Sequence, residues 1–256
     1  MFTAQVVKLI ELHLQRLSDD TFRPEIAAIA RSIAHLSTTD IELMGDPSDD
    51  RIYPTHSPDA SFICRGAGYP CVVIETSFSQ KRKDLPDLAE DYIIGSCGNI
   101  RLVVGLDIEY RSSKRATVSV WESQEGFDED GVPYLCAIKI VNDEVRFLVL
   151  ASISAAVLTP KPLKLFRNDD SSPVMSNAAL TLPLSAFTPP GTTLVRSLKD
   201  IVVSIPYRDL CSYLEDAERC QKDTKGPARS DAMKMLQPGT RLRRSQRTPE
   251  SCFKPP

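Results

Sequence analysis

Long apolar stretches are missing from this chain of 256 residues. The longest, Phe147 to Leu158, has 12 residues, too short to cross a bilayer, so no membrane partner is expected. Seven cysteines form an odd set without a C-x-x-C pair, which argues against a zinc module or a disulfide framework and for buried thiols. The first residues carry charges every few positions and lack a signal-peptide core. A reducing, intracellular setting, cytoplasm or nucleus, is therefore the expectation. Neither G-x-x-x-x-G-K-[ST] nor G-x-G-x-x-G occurs, so the glycine loops that cradle nucleotide phosphates are absent. Histidine is scarce too: His13, His35 and His56. His56 neighbours Ser57 and Asp59, but no nucleophile-elbow glycines surround Ser57, and adjacent residues rarely assemble a hydrolase triad.

What is present suits a globular protein with one sizeable core: 42% hydrophobic and 25% charged residues. The net charge of −3 hides an asymmetry. From Lys222 onward nine Lys/Arg face three acids, a balance of +6, whereas the rest holds 22 basic and 31 acidic residues, or −9. This division predicts a single α/β domain over 1–221 and a basic, disordered tail over 222–256. The tail is either a nucleic-acid or nuclear-import patch or a solvated terminus.

Helical spacing is clear over the first 18 residues, and again from Pro24 to about His35. Ile41 to Met44 then reads as a strand, as does Asp59 to Cys64. Cys71 to Thr76 is almost unbroken in its apolarity and ends in an acid and a hydroxyl, the pattern of a central strand buried on both faces with its tip at an open edge. Asp84 to Ser96 reads as a helix. Ile100 to Tyr110 alternates as a strand, and Lys114 to Glu122 suits an antiparallel partner, with Trp121 out of phase and so on the opposite face. Tyr134 to Val141 and Glu144 to Leu150 form an expected hairpin. Short strands at Leu180–Leu184 and Ile201–Ile205 and a helix over Pro206–Gln221 follow.

One constellation carries chemistry. Asp59 begins one strand and Glu75 ends the next, so antiparallel pairing brings both carboxylates to one rim. Two carboxylates a few Å apart repel when ionised, and a divalent cation between them resolves the conflict. Ser77 lies two residues beyond Glu75 and faces the same way. The Thr76 carbonyl offers a further oxygen. An oxygen-rich set suits Mg²⁺ or Mn²⁺ better than zinc. Plainer roles stand beside these: a turn residue after Pro58 for Asp59, and an exposed or paired strand end for Glu75. Asp107 and Glu109 share one strand face, either as solvated edge positions or as outer candidates for the same rim.

The run SPDASF at Ser57–Phe62, followed by VVIETS at Val72–Ser77, resembles the paired signature of the PD-(D/E)xK, or restriction-endonuclease-like, nuclease superfamily. The longer run from Pro70 to Leu85, with LAEDY at Leu88–Tyr92, IRLVV at Ile100–Val104 and a later tryptophan like Trp121, is similar to a poorly characterised group of fungal proteins related to that superfamily. The resemblance covers roughly Ile41 to Glu122. It implies a restriction-endonuclease-like core, a mixed central sheet flanked by helices, with extra C-terminal strands and a helix. It also implies an Mg²⁺- or Mn²⁺-dependent phosphodiesterase acting on DNA or RNA, with Asp59 and Glu75 as metal ligands, beside which the Thr76 carbonyl is the further oxygen. The lysine of the signature is replaced by Ser77, a hydroxyl without charge. Lys81 or Lys83 would then swing back to serve, with Gln80 as a hydrogen-bonding partner of the attacking water, and Glu11 or Glu25 would join the metal as in some relatives. The alternative implied by Ser77 is a catalytically inactive member of the same fold that binds nucleic acid or a protein partner.

Overall fold

The computed structural model describes residues 1–45, 52–78, 84–110, 113–140, 164–174, 177–192 and 198–223. Helix α1 (Phe2–Ser18) buries Phe2, Val6, Val7, Ile10 and Leu14 along one stripe, the spacing of a half-buried helix. Asp20 shapes the corner that follows: its Oδ1 accepts the N–H groups of Phe22 and Arg23, and its Oδ2 meets the Arg23 guanidinium at 2.7 Å. Pro24 then opens α2 (Pro24–Ser32), where its missing N–H is harmless.

Helix α2 stops three residues before the expected His35. Ile33–Leu36 form strand β1 and pair antiparallel with β2 (Ala60–Cys64), Ile33 opposite Cys64 and Leu36 opposite Ser61. The alternation needed for a strand is hidden there, because Ile33 and Ala34 continue the helical stripe of Ile26, Ala27, Ile29 and Ala30. Pairing with β2 decides the conformation. Correspondingly, Ile41 to Met44 is not a sheet strand. Ile41 makes only an isolated bridge to His56, with N–H···O distances of 2.8 and 3.1 Å.

Strand β3 (Val72–Phe78) runs antiparallel to β2 and parallel to β4 (Leu102–Ile108), and α3 (Leu85–Gly95) makes the crossover between the parallel pair. Strand β5 (Ala116–Phe127) returns antiparallel to β4. Its start pairs with β7 (Lys164–Arg167) and its longer remainder with β6 (Pro133–Ile140). The main sheet thus runs β1-β2-β3-β4-β5-β6, with β7 added beside β5. A separate ribbon of β8 (Ala179–Pro183) and β9 (Val202–Pro206) precedes α4 (Tyr207–Asp223). The expected hairpin partner Glu144–Leu150 lies outside the described residues, as does the tail beyond Asp223; β6 pairs with β5.

The result is a mixed α/β fold, a central sheet flanked by helices with extra C-terminal strands and a helix. Met1–Ala217 is one compact unit. Glu218–Pro256 is grouped as a second, of which Glu218–Asp223 are described as helix. Two cores sandwich the sheet. On one face Val72, Ile74, Leu102, Val104 and Leu106 pack with α1, the β8–β9 ribbon and α4. On the other, Val73, Val103 and Trp121 pack with Leu85, Ala89, Tyr92 and Ile93 of α3 and with Ile41, Leu43 and Tyr53. Trp121 falls on the α3 face, as its phase required. Gly105 makes room for it: a Cβ there would sit 2.9 Å from the Trp121 ring and 3.3 Å from Leu85.

Candidate active site at the β2–β3 rim

Pro58 is buried and delivers Asp59, exposed, to the start of β2. The ladder pairs Ala60 with Ile74, so one further step sets Asp59 opposite Glu75. Residues opposed across an antiparallel pair project to the same face. The ladder itself ends there, and Asp59 replaces it: Oδ2 accepts the Thr76 N–H at 2.6 Å. In a strand the N–H and C=O of one residue point to the same edge. The Thr76 carbonyl is therefore directed to the edge that Asp59 occupies. On the α1 face, the Thr76 hydroxyl lies 2.8 Å from that of Thr3, which ties the strand, two residues before its end at Phe78, to the first turn of α1.

Glu75 projects to the α3 face with Val73 and Ser77. Its Oε1 accepts a hydrogen bond from the Tyr92 hydroxyl at 2.7 Å. Tyr92 is fully buried in α3. Burial, then the Glu75 charge and hydrogen bond, then the charge of Asp59, all push its phenol well above the ordinary range. It therefore stays a protonated donor, and both carboxylates act on it. The His56 ring leans on Tyr92 with centroids 5.1 Å apart, and its Nε2 is 3.3 Å from Asp91 Oδ2. These contacts hold the segment before Pro58 against α3. Ser57 donates instead to Asp40, so His56 and Ser57 engage different acids and no triad forms.

Ser77 shares the Glu75 face but not its access to the rim. It is 1% exposed, opposite buried Asp107 in the parallel ladder, and its hydroxyl has no hydrogen-bond partner among the described residues. Glu109 accepts from the Ser113 hydroxyl at 2.5 Å, within the β4–β5 turn. Glu11 lies 3.6 Å from His35 of β1, beside an open cavity of about 430 Å³ between α1, α2 and β1. Glu25 sits in the first turn of α2. Gln80, Lys81 and Lys83 lie outside the described residues.

The structure thus joins Asp59, Glu75 and Thr76 and adds Tyr92, which sequence reasoning had only as a buried helix residue. Its role depends on a contact 17 residues away in sequence; the one local signal was an apolar stripe containing a hydroxyl that needed a partner. Among the described residues no group of three or more His, Cys, Asp or Glu is placed to hold a metal. The donor set at the rim is two carboxylates and a carbonyl, all hard oxygens, which fits Mg²⁺ or Mn²⁺. Comparisons with family models, with curated proteins and with solved structures each found no match.

Proposed function

We propose that this chain is a restriction-endonuclease-like, divalent-metal-dependent phosphodiesterase acting on DNA or RNA. The observation that carries the reading is the rim geometry: Asp59 opposite Glu75, its carboxylate on the Thr76 N–H at 2.6 Å. The order helix, strand, Pro-Asp strand, Glu strand, helix, strand also agrees with the resemblance at Ser57–Ser77. Asp59 and Glu75 would hold Mg²⁺ or Mn²⁺, with the Thr76 carbonyl as a third oxygen. When bound, the cation supplies positive charge that polarises a phosphate oxygen and acidifies water. Tyr92 fixes the rotamer of Glu75 through Oε1, and Asp59 is fixed through Oδ2, so the carboxylates are oriented before a substrate arrives.

A second reading, a catalytically inactive domain that binds nucleic acid or a protein partner, is favoured by the burial of Ser77. A neutral, enclosed hydroxyl stands where the signature has lysine, and it cannot stabilise developing charge. The test is Mn²⁺ calorimetry and Mn²⁺-dependent cleavage of labelled DNA and RNA. Wild type should bind and cleave, and Asp59→Ala should lose both. Ser77→Lys, whose ammonium would face Asp107, should raise cleavage if the enzyme is weakened by its missing cation. Metal binding that Asp59→Ala does not remove would overturn the site; binding without cleavage would select the inactive reading.

A further inference from the structure

Next to this rim lies a feature that metal chemistry does not use. Phe78 ends β3 and is 50% exposed; Tyr110, two residues past β4, is 37% exposed. Their rings touch, with centroids 5.5 Å apart at 38°. Lys114 places its ammonium 5.3 Å from the Tyr110 centroid. The Lys114 backbone is hydrogen-bonded through both its groups. The Lys114 N–H donates to Asp169 at 3.1 Å, and its carbonyl accepts from the fully buried Arg167 guanidinium at 2.5 Å. Two large side chains held half open at adjacent parallel strand ends form a small aromatic surface with a cation at its side.

We propose that Phe78 and Tyr110 are a stacking platform for an unpaired nucleobase, so that the substrate class of this site is single-stranded nucleic acid. The inference rests on the nuclease reading for the identity of the ligand. Phe78 is three residues beyond Glu75, about 10 Å along the strand, close enough for the same strand to reach both. The odd spacing sets the ring on the opposite sheet face from Glu75. A base must therefore turn over the strand tip to stack, which an unpaired base does freely and a base held in a duplex does not. Charge argues in the same direction. The body of the chain carries −9, so attraction to phosphates supplies little affinity. Stacking on an aromatic face tolerates any base sequence and contributes affinity beyond that of charge.

The test is fluorescence polarisation of the full chain in EDTA, where no cleavage occurs. The probes are a labelled single strand of about 20 nucleotides, the same strand with a run of abasic sites, and the matching blunt duplex. Wild type should bind the single strand at least about tenfold tighter than either the abasic strand or the duplex. Phe78→Ala/Tyr110→Ala should lose about tenfold on the single strand and show no abasic penalty, while Phe78→Trp should retain both affinity and penalty. Equal binding of intact and abasic strands by wild type, duplex binding as tight as single-strand binding, or no binding at all would each overturn the platform. Failure here is separable from failure of the metal site. Cleavage lost in Asp59→Ala with no abasic penalty leaves a nuclease without the platform. An abasic penalty without any Mn²⁺-dependent cleavage leaves the platform on a non-catalytic binding domain.

Discussion

The two faces of the central sheet are built from the same strands, yet they differ in kind. Toward α1, β3 presents Val72 and Ile74, and β4 presents Leu102, Val104, Leu106 and Ile108, into a continuous apolar core. Toward α3, the alternate residues begin apolar at Val73 and Val103 and then change to Glu75, Ser77 and Asp107, the last two buried. One face is a filled interior. The other is filled at one end and polar at the end where Asp59 arrives. Burying a carboxylate and a hydroxyl disfavours folding unless partners offset it, so this end of the α3 face is harder to fill than the apolar face opposite.

That contrast makes unequal demands on mutation. The largest effect belongs to the apolar face. Phe62 is 1% exposed and meets the Phe187 ring edge-on at 5.6 Å, so Phe62→Ala should lower stability by about 3–5 kcal/mol in urea titration. A loss below about 1 kcal/mol would break the picture of a tightly filled interior. Gly105→Ala tests the filled end of the other face. Its Cβ would collide with the Trp121 ring at 2.9 Å, and a loss of about 1–3 kcal/mol is expected, with a change in tryptophan emission.

At the polar end the chemistry of the replacement should matter more than its size. Glu75→Ala orphans the buried Tyr92 hydroxyl and should destabilise by about 1–3 kcal/mol. Glu75→Gln keeps an acceptor for Tyr92 and should stay within about 0.5 kcal/mol of wild type while losing Mn²⁺ affinity. Equal stabilities for the two variants would show that the Tyr92 bond contributes nothing. The smallest effect near neutrality is in pH. Burial pushes the Cys71 thiol up to about 11, and Tyr92 is raised as well. Both hold their protons more tightly when folded. The Cys71 contribution is therefore complete below the ordinary thiol pKa and is lost as pH rises from about 9 through 11, and that of Tyr92 begins to fall only above the ordinary phenol pKa of about 10. Thermal midpoints should be flat from pH 7 to 8.5 and fall above it, less steeply in Cys71→Ala.

Much of this contrast was legible in the residues. The apolar run of β3, the alternation of β4, the α3 stripe and the phase of Trp121 all follow from local periodicity and were found where it set them, although β3 continues past the expected end at Thr76 to Phe78. Strand β1 was not legible, because Ile33–Leu36 carry a helical stripe and become a strand only by pairing with β2. The shared rim of Asp59 and Glu75 was readable, since antiparallel pairing of neighbouring strands is a local matter. The burial of Ser77 and the bond from Tyr92 were not, since both depend on how α3 settles on the sheet. Period 2 assigned Ser77 its face; depth on that face is a tertiary property.

The layering also has a consequence for how the chain is made. Every fully buried residue of the α3-side cluster lies between Ile41 and Trp121, so that half of the molecule can close while the ribosome is still extending the rest. Helix α1 emerges before the sheet it covers, yet its core is completed by Leu180, Leu182, Val203, Ile205, Leu210 and Leu214. Until those residues are synthesised, Val72, Ile74, Leu102 and Val104 have α1 as cover without the ribbon and the last helix. A nascent chain halted near residue 170 would carry a finished rim beside an unfinished interior, and its exposed apolar strands are the surface that a chaperone would bind.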